Sequence, residues 1–145
     1  TAKLGDWYAN LIPTLSGDLI VFVNEKSLLT VAIPVWESNN LLPLFSFRVA
    51  HLLGMIGIPP GAIEEEVGHF DSIQFAKTAS RSILGTMNEM KWYFQIMAED
   101  AKDEKDLSLS NAELELSRMI WKRQNYQYPS DVARELLLNE MSSAC

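Results

Sequence analysis

Residues 19–34 read LIVFVNEKSLLTVAIP and consist of two apolar runs separated by four polar residues. The runs, Leu19 to Val23 and Leu28 to Ile33, are rich in β-branched side chains, which favour strands. Two such runs joined by a short polar turn, here Asn24 to Ser27, predict an antiparallel hairpin. Neither run alternates cleanly between apolar and polar side chains, so we expect other elements to cover both faces of this hairpin.

Two further strands complete the predicted sheet. Trp7 to Ile12 combines aromatic and β-branched residues and is followed by Pro13. Ile73 and Phe75 alternate with polar residues, which indicates a strand with one solvent-exposed face. The predicted fold is therefore α+β, with a hairpin-containing antiparallel meander of about four strands packed with about four to five helices.

Three helices are predicted between residues 41 and 97. The first has an apolar stripe at helical spacing, and further apolar residues off that stripe (Leu44, Phe47, Met55) predict packing on most of its sides. The second begins at Pro60, because proline suits the first turn of a helix. The third has a core stripe formed by Ile83, Met87, Met90, Phe94 and Met97.

The third predicted helix also has a second stripe on its opposite side, formed by Gly85, Asn88, Trp92 and Ile96. A helix with two packing faces normally lies between two layers. Two C-terminal helices are expected to cover this stripe. The capping-box pattern of Ser110 and Glu113 starts one of them, and Ser130 caps the other. We therefore expect one domain over residues 1–145, with an α+β core at 1–98 and the C-terminal helices at 107–141 packed on it.

The chain has 145 residues and a net charge of −7. This balance argues against a nucleic-acid partner, which would need a basic surface. An acidic surface mostly serves solubility, and a basic partner protein is the rarer alternative. A single cysteine, Cys145, and an N-terminus without an apolar leader favour a reducing, cytoplasmic location.

The longest apolar run, Leu41 to Ile58, is interrupted by Pro43, Arg48 and His51, so no membrane span is predicted.

No sequence motif points to a metal, a cofactor or a covalent mechanism. Glu66 and His69 have the Glu-x-x-His spacing of di-iron proteins, but the second copy that such a site needs is missing. The chain has two histidines, His51 and His69, which is a poor supply of metal ligands. A Gly-x-Ser-x-Gly elbow, a phosphate-binding loop and a dinucleotide fingerprint are also missing from the sequence. We therefore predict neither a metal site nor a cofactor.

Residues 77–88, KTASRSILGTMN, form the strongest candidate site. Lys77 ends the last predicted strand and Arg81 begins the third helix, so two cations flank a helix N-terminus with outward N–H groups. This geometry binds anions. The alternative is structural: a serine caps the helix, and the cations pair with carboxylates such as Asp71 or Glu89. The candidate ligand-binding residues are Lys77, Thr78, Ser80, Arg81 and Ser82 of the turn, Asp6, Asn10 and Asn24 of the sheet, and Asn88.

Three segments of the chain resemble a bacterial protein family of unknown function. They are GDWYANL (5–11), VFVNEKSLLTVAIP (21–34) and KTASRSILGTMNEM (77–90), and YPSDVARELL (128–137) resembles the tail of the same family. The chain is identified as a member of domain-of-unknown-function family 6933, and this resemblance implies no particular activity. It implies matching positions at Asp6, Trp7, Asn10, Asn24, Lys77, Thr78, Arg81, Ser82, Gly85, Met87 and Asn88. Relatives carry a longer segment before the Gly-Asp-Trp motif than Thr1 to Leu4 here, which puts any site built from that segment in doubt.

The function expected from the sequence is that of a small interaction or ligand-binding module without catalytic activity, with no nucleic-acid or membrane partner. The alternative is an enzyme or binding protein for a phosphorylated or otherwise anionic small molecule. In that case Lys77 and Arg81 would hold the charge, and Asp6 would act as acid or base. A third hypothesis is a homodimer that forms through the off-stripe residues of the first helix (Leu44, Phe47, Met55) or through Trp36.

Overall fold

A computed structural model describes residues 3–14, 17–70, 75–76, 81–100, 109–119 and 128–143 of the chain. At 36–38, 75–76, 81–84, 97–100, 109–111 and 139–143 the description covers the backbone alone. Within these ranges the chain forms one sheet with helices on both of its faces.

The sheet contains β1 (Trp7–Ile12), β2 (Leu19–Asn24), β3 (Thr30–Pro34) and β4 (Phe75–Ala76), in the order β3-β2-β1-β4. β2 pairs antiparallel with both β1 and β3, which confirms the hairpin predicted over residues 19–34. Three strands are antiparallel rather than about four, because the two-residue strand β4 lies parallel to β1. The chain reaches β4 from β3 through a helical crossover, and such a crossover is the connection that parallel strands require.

The turn of the hairpin is longer than predicted, and β3 begins at Thr30 rather than at Leu28. Leu28 has φ 63°, in the left-handed region that non-glycine residues rarely adopt. The N–H of Asn24 donates to the Leu29 carbonyl at 2.9 Å, and the N–H of Leu28 donates to the Asn24 carbonyl at 2.8 Å. These hydrogen bonds hold the turn together through Leu29.

A 3₁₀ helix (Val35–Asn40) leads into α1 (Leu41–Met55), and the chain continues with α2 (Pro60–Gly68), α3 (Arg81–Asp100), α4 (Leu109–Ser117) and α5 (Pro129–Ser143). Pro60 begins α2, as predicted. Gly57, just after α1, has φ 90°, which glycine adopts without steric strain. No helix in the described part of the chain combines the length and apolar character needed to cross a membrane.

Helices cover both faces of the sheet, which confirms the expectation drawn from the hairpin. We call the two buried clusters core A and core B. In core A, α1, α2 and α5 pack on the sheet through residues that include Phe45, Leu52, Ala62, Ala133 and Leu137. In core B, α3 and α4 pack on the opposite face through Met87, Met90, Phe94, Ala112 and Leu116. β2 contributes to both, since Phe22 lies in core A and Val21 lies in core B.

Among the described residues α3 packs with one side only, and the helices α4 and α5 do not cover its second stripe, contrary to the expectation. Its predicted core stripe is buried where side chains are described: Met87, Met90 and Phe94. On the opposite side, Trp92 is 67% exposed and Ile96 is 43% exposed. The reason is that α4 packs beside α3 on the sheet, whereas α5 packs on the other face in core A.

α1 also packs on fewer sides than predicted. Leu44 and Met55 are partly buried against core A, but Phe47 is 64% exposed. The Phe47 ring stacks on His51, with ring centroids 6.2 Å apart. The side chain of Trp36 lies outside the described residues. The homodimer hypothesis for these residues stays a prediction, and Phe47 is the most exposed of the three described members.

Candidate functional site

The predicted anion site lies where the chain passes from β4 to α3. β4 ends at Ala76 and α3 begins at Arg81, so the predicted strand-to-helix transition is present. Lys77, Thr78 and Ser80 lie outside the described residues, and Arg81 and Ser82 are described by their backbone alone. The arrangement of these five side chains therefore stays a prediction.

Of the three predicted site residues of the sheet, Asp6 and Asn24 lie at the start of β1, and Asn10 lies three residues further along. β4 pairs in parallel with the first two residues of β1, so the chain leaves β4 in the direction of Asn10. Asn10 is exposed and lies about 7 Å beyond these paired residues. Asp6 precedes β1, and Asn24 pairs with Trp7 at the start of that strand. Of the three, Asn10 is therefore the residue that lies beyond β4 in the direction in which β4 runs.

The side chain of Asn24 is buried and fully hydrogen-bonded within the chain. Its Nδ2 donates to the carbonyl of Leu4 at 2.8 Å and to that of Asp6 at 3.1 Å. Its Oδ1 accepts from the backbone N–H of Ser27 at 2.9 Å and from the Ser27 hydroxyl at 2.8 Å. These bonds use both amide hydrogens and both lone pairs of the carbonyl oxygen. Asn24 thus fixes the N-terminal segment to the hairpin turn.

The remaining predicted residue, Asn88, lies on an exposed face of α3. We call the stripe Gly85, Asn88, Trp92 and Ile96 the outer face of α3; all four residues are exposed. At about 100° per residue, Gly85, Trp92 and Ile96 fall within about 40° of one another around the helix axis. Apart from its chain neighbours and the backbone of its own helix, no heavy atom of the described residues lies within 4 Å of the position that a Cβ on Gly85 would occupy. Packing within the described part of the chain therefore does not explain a glycine that costs about 1 kcal/mol relative to alanine.

Hydrogen bonds fix α3 on the sheet and on its neighbours. The Thr30 hydroxyl of β3 donates to the sulfur of Met90 at 3.1 Å, and the Gln95 side chain donates to the Pro13 carbonyl at 3.0 Å. The Tyr93 hydroxyl donates to a carboxylate oxygen of Glu115 in α4. Burial, this hydrogen bond and the charge of Glu115 raise the pKa of Tyr93 to about 12. The outer face is therefore presented by a helix whose middle part, from Met87 to Gln95, is held on the sheet and on α4.

A buried ion pair joins α4 to α1 and β3. Glu113 is 0% exposed; its Oε1 accepts from Arg48 Nη2 at 2.7 Å, and its Oε2 accepts from Arg48 Nε at 3.2 Å. The same Oε2 accepts the N–H of Ala32 at 2.8 Å. Burial raises the pKa of Glu113 to about 7, although Arg48 and the Ala32 N–H act in the opposite direction. The capping box predicted for Glu113 is thus replaced by tertiary contacts, which hold α4 on the sheet.

Glu66 is a second buried carboxylate, and it holds the N-terminal segment. Its Oε1 accepts the N–H of Lys3 at 2.7 Å, and its Oε2 accepts the N–H of Leu4 at 3.2 Å. Glu66 is 1% exposed, so its carboxylate faces the protein interior. Among the side chains that the structure describes, no group of three or more His, Cys, Asp or Glu is placed to hold a metal ion.

The fold and the exposed stripe define a class of protein: a three-layer α+β protein that presents apolar side chains on one firmly held helix. The chain belongs to the family described as Domain of unknown function (DUF6933), which matches residues 1–132. This match confirms the family expected from the sequence, and it includes the whole outer face of α3. No curated protein and no solved structure matches the chain.

Proposed function

We propose that the protein is a non-enzymatic interaction module that binds another protein through the outer face of α3. The observation that carries this proposal is the exposure of Trp92 (67%) and Ile96 (43%) on the side of α3 that faces away from the sheet. Exposed large apolar side chains that lie together mark interaction surfaces. Tryptophan is also enriched among the residues that dominate binding free energy.

The way in which α3 is held supports this function. A surface that is already ordered loses little conformational entropy when it binds a partner. The contacts of Met90, Tyr93 and Gln95 with other elements provide that order. The buried carboxylates Glu66 and Glu113, in turn, bind groups of their own chain and serve to position elements.

Photo-crosslinking from position 88 in the full chain, in the cells that express it naturally, tests the proposal. We expect a photoreactive residue in place of Asn88 to form a discrete covalent adduct with a partner protein. Trp92→Ala should abolish this adduct, because the indole provides the main apolar contact. Phe47→Ala is the matched control, since Phe47 is 64% exposed but lies on α1, across the sheet. A missing adduct, or one that survives Trp92→Ala, contradicts the proposal.

A second candidate function is binding of a phosphorylated or otherwise anionic small molecule, by an enzyme or a binding protein, at the Lys77–Ser82 turn. The β4–α3 connection favours it, because residues 77–80 join the strand to a 20-residue helix. The first-turn N–H groups and the positive end of such a helix favour a bound anion. β4 also runs in the direction of Asn10, since it pairs in parallel with the first two residues of β1.

Inorganic phosphate and Arg81→Ala distinguish this anion site from simple helix capping. If the site exists, phosphate raises the Tm of the unmodified protein, and the variant loses this increase while its Tm without phosphate is unchanged. If Arg81 only stabilises the helix, the variant has a lower Tm without phosphate, and phosphate changes the Tm of neither protein. The second pattern excludes the anion site.

A further inference from the structure

We propose that core A holds one buried water molecule, bound between the indole N–H of Trp7 and the carboxylate of Glu66. Trp7 is 0% exposed, and its Nε1 has no hydrogen-bond acceptor among the described residues. Buried polar groups without a partner are rare in folded proteins, and an internal water molecule often satisfies them. The water site lies in the interior of the fold and is independent of the proposed interaction function.

The surroundings of Trp7 within the described chain do not satisfy its indole N–H. Its ring meets that of Phe45 edge to face, with centroids 5.2 Å apart and planes at 87°. An aromatic ring accepts an N–H only weakly. Two carbonyls close to Trp7 in the sequence, those of Leu4 and Asp6, already accept from Asn24. An acceptor that is not part of the chain therefore fits the indole N–H best.

Glu66 can bind the same water molecule through its carboxylate. It is 1% exposed, and each of its oxygens accepts one backbone N–H, from Lys3 and from Leu4. A carboxylate has about four lone-pair sites, so further donors can still bind. Both backbone donors are uncharged, and an additional donor would stabilise the buried carboxylate further.

Trp7 and Glu66 border the same part of core A. Leu4, whose N–H binds Glu66, lies in this cluster three residues before Trp7. Phe70, four residues after Glu66, lies in the same cluster, and its ring centroid is 5.2 Å from that of Phe45. Phe45 in turn contacts Trp7. Two hydrogen bonds of about 2.8 Å allow one water molecule to join polar atoms up to about 5.5 Å apart.

Water suits these two groups better than a larger ligand. Its oxygen accepts the indole N–H, and its own hydrogens donate to the carboxylate, so one molecule serves both. Leu4, Phe45 and Phe70 are at most 1% exposed, so the site is closed to bulk solvent. Buried waters occur about once per 27 residues, so one at this position is in keeping with a chain of 145 residues. The bound water would connect β1 to α2 beside the N-terminal segment.

NMR of the ¹⁵N-labelled full chain tests for this water. We expect cross-peaks between the Trp7 indole proton and the water signal, with opposite signs in NOE and ROE spectra. Opposite signs indicate a long-lived bound water, whereas chemical exchange gives the same sign in both. The Trp92 indole, which is 67% exposed, is the matched control and should lack this signature, because water leaves an exposed group quickly.

Trp7→Phe provides a second measurement, because it keeps an aromatic ring and removes the donor. Oxygen-17 relaxation dispersion counts long-lived internal waters, and the variant should lose one. Trp92→Phe should leave the count unchanged. If Trp7→Phe does not fold, the indole–water cross-peaks of the unmodified protein decide the question. A crystal structure at atomic resolution should place the water oxygen within about 3.2 Å of both Nε1 and a Glu66 oxygen.

Three results overturn the water site. The first is a Trp7 indole proton without a long-lived water contact, and the second is an unchanged number of internal waters in Trp7→Phe. The third is a crystal structure in which Nε1 donates to an atom of the protein or to the Phe45 ring. A water molecule that binds Nε1 without reaching Glu66 overturns the role assigned to Glu66.

Discussion

Asn24 shows how one buried amide connects segments that are distant in the sequence. Its Nδ2 donates to main-chain oxygens 18 and 20 residues earlier in the chain. The sequence makes it a candidate ligand-binding residue, because an asparagine at a turn can bind either a ligand or nearby backbone. Which of these it does depends on where the N-terminal segment passes, and no local pattern contains that information.

Substitution of Asn24 is expected to destabilise the fold strongly. Asn24→Ala leaves the buried Leu4 carbonyl and the Ser27 N–H without partners, so the free energy of unfolding should fall by about 3 kcal/mol. Asn24→Asp should also destabilise it, because a carboxylate cannot donate to Leu4 and Asp6. The exposed Asn10 is the matched control, and Asn10→Ala should change stability by less than about 0.5 kcal/mol. Urea unfolding measures all three; equal effects at positions 24 and 10 would show that Asn24 has no special structural role.

At the scale of the element, α4 shows where local patterns mislead. The spacing of Ser110 and Glu113 predicts a helix there, and α4 is present at Leu109–Ser117. The same pattern predicts that Glu113 caps the helix, yet its carboxylate binds Arg48, 65 residues earlier in the chain. A capping box needs the glutamate to reach back to the helix start, and the packing of α4 on the sheet directs it to α1 and β3 instead.

The buried Glu113 predicts a specific pH dependence of stability. Its pKa is about 7 in the folded protein, against a model-peptide value of 4.5. Between these two pH values the folded state binds more protons than the unfolded state, so the free energy of unfolding should fall as pH rises. At about 1.36 kcal/mol per pH unit, the whole decrease is about 3 kcal/mol. Among the described residues, Arg48 of α1 is the charged side chain that contacts Glu113 from another element. Glu115 is exposed on α4 itself, and the exposed Arg118 directly follows that helix.

Glu113→Gln isolates this contribution, since glutamine does not titrate. Chemical denaturation at a series of pH values should give a shallower decrease in unfolding free energy for the variant than for the unmodified protein between pH 4.5 and about 7. Glu115→Gln, on the exposed side of the same helix, should leave that part of the curve in place. Parallel curves for the unmodified protein and Glu113→Gln would contradict the assignment.

For the molecule as a whole, the sequence predicted the elements better than their arrangement. The hairpin and the Met87–Met90–Phe94 stripe are local patterns, so both were predicted correctly. Which layer covers which face depends on contacts between elements that are far apart in the sequence, and a helix with two stripes fits equally well inside the molecule or at its surface. The composition of the second stripe was the available signal: Gly85 and Asn88 give it only two large apolar side chains, too few for a core face.

The position of α5 determines whether the molecule unfolds as one unit. Ala133 and Leu137 lie in core A with residues of the sheet and α1, and Arg134 Nε donates to the Ile56 carbonyl at 2.7 Å. Leu137→Ala should therefore lower the free energy of global unfolding by about 3 kcal/mol. Far-UV circular dichroism and tryptophan fluorescence should report the same shifted midpoint, since Trp7 lies in the same core.

Glu135→Ala, on the exposed side of α5, should leave the midpoint unchanged. If Leu137→Ala shifts the dichroism transition and not the fluorescence transition, α5 unfolds separately from the core, and the expectation of a single domain over residues 1–145 is wrong.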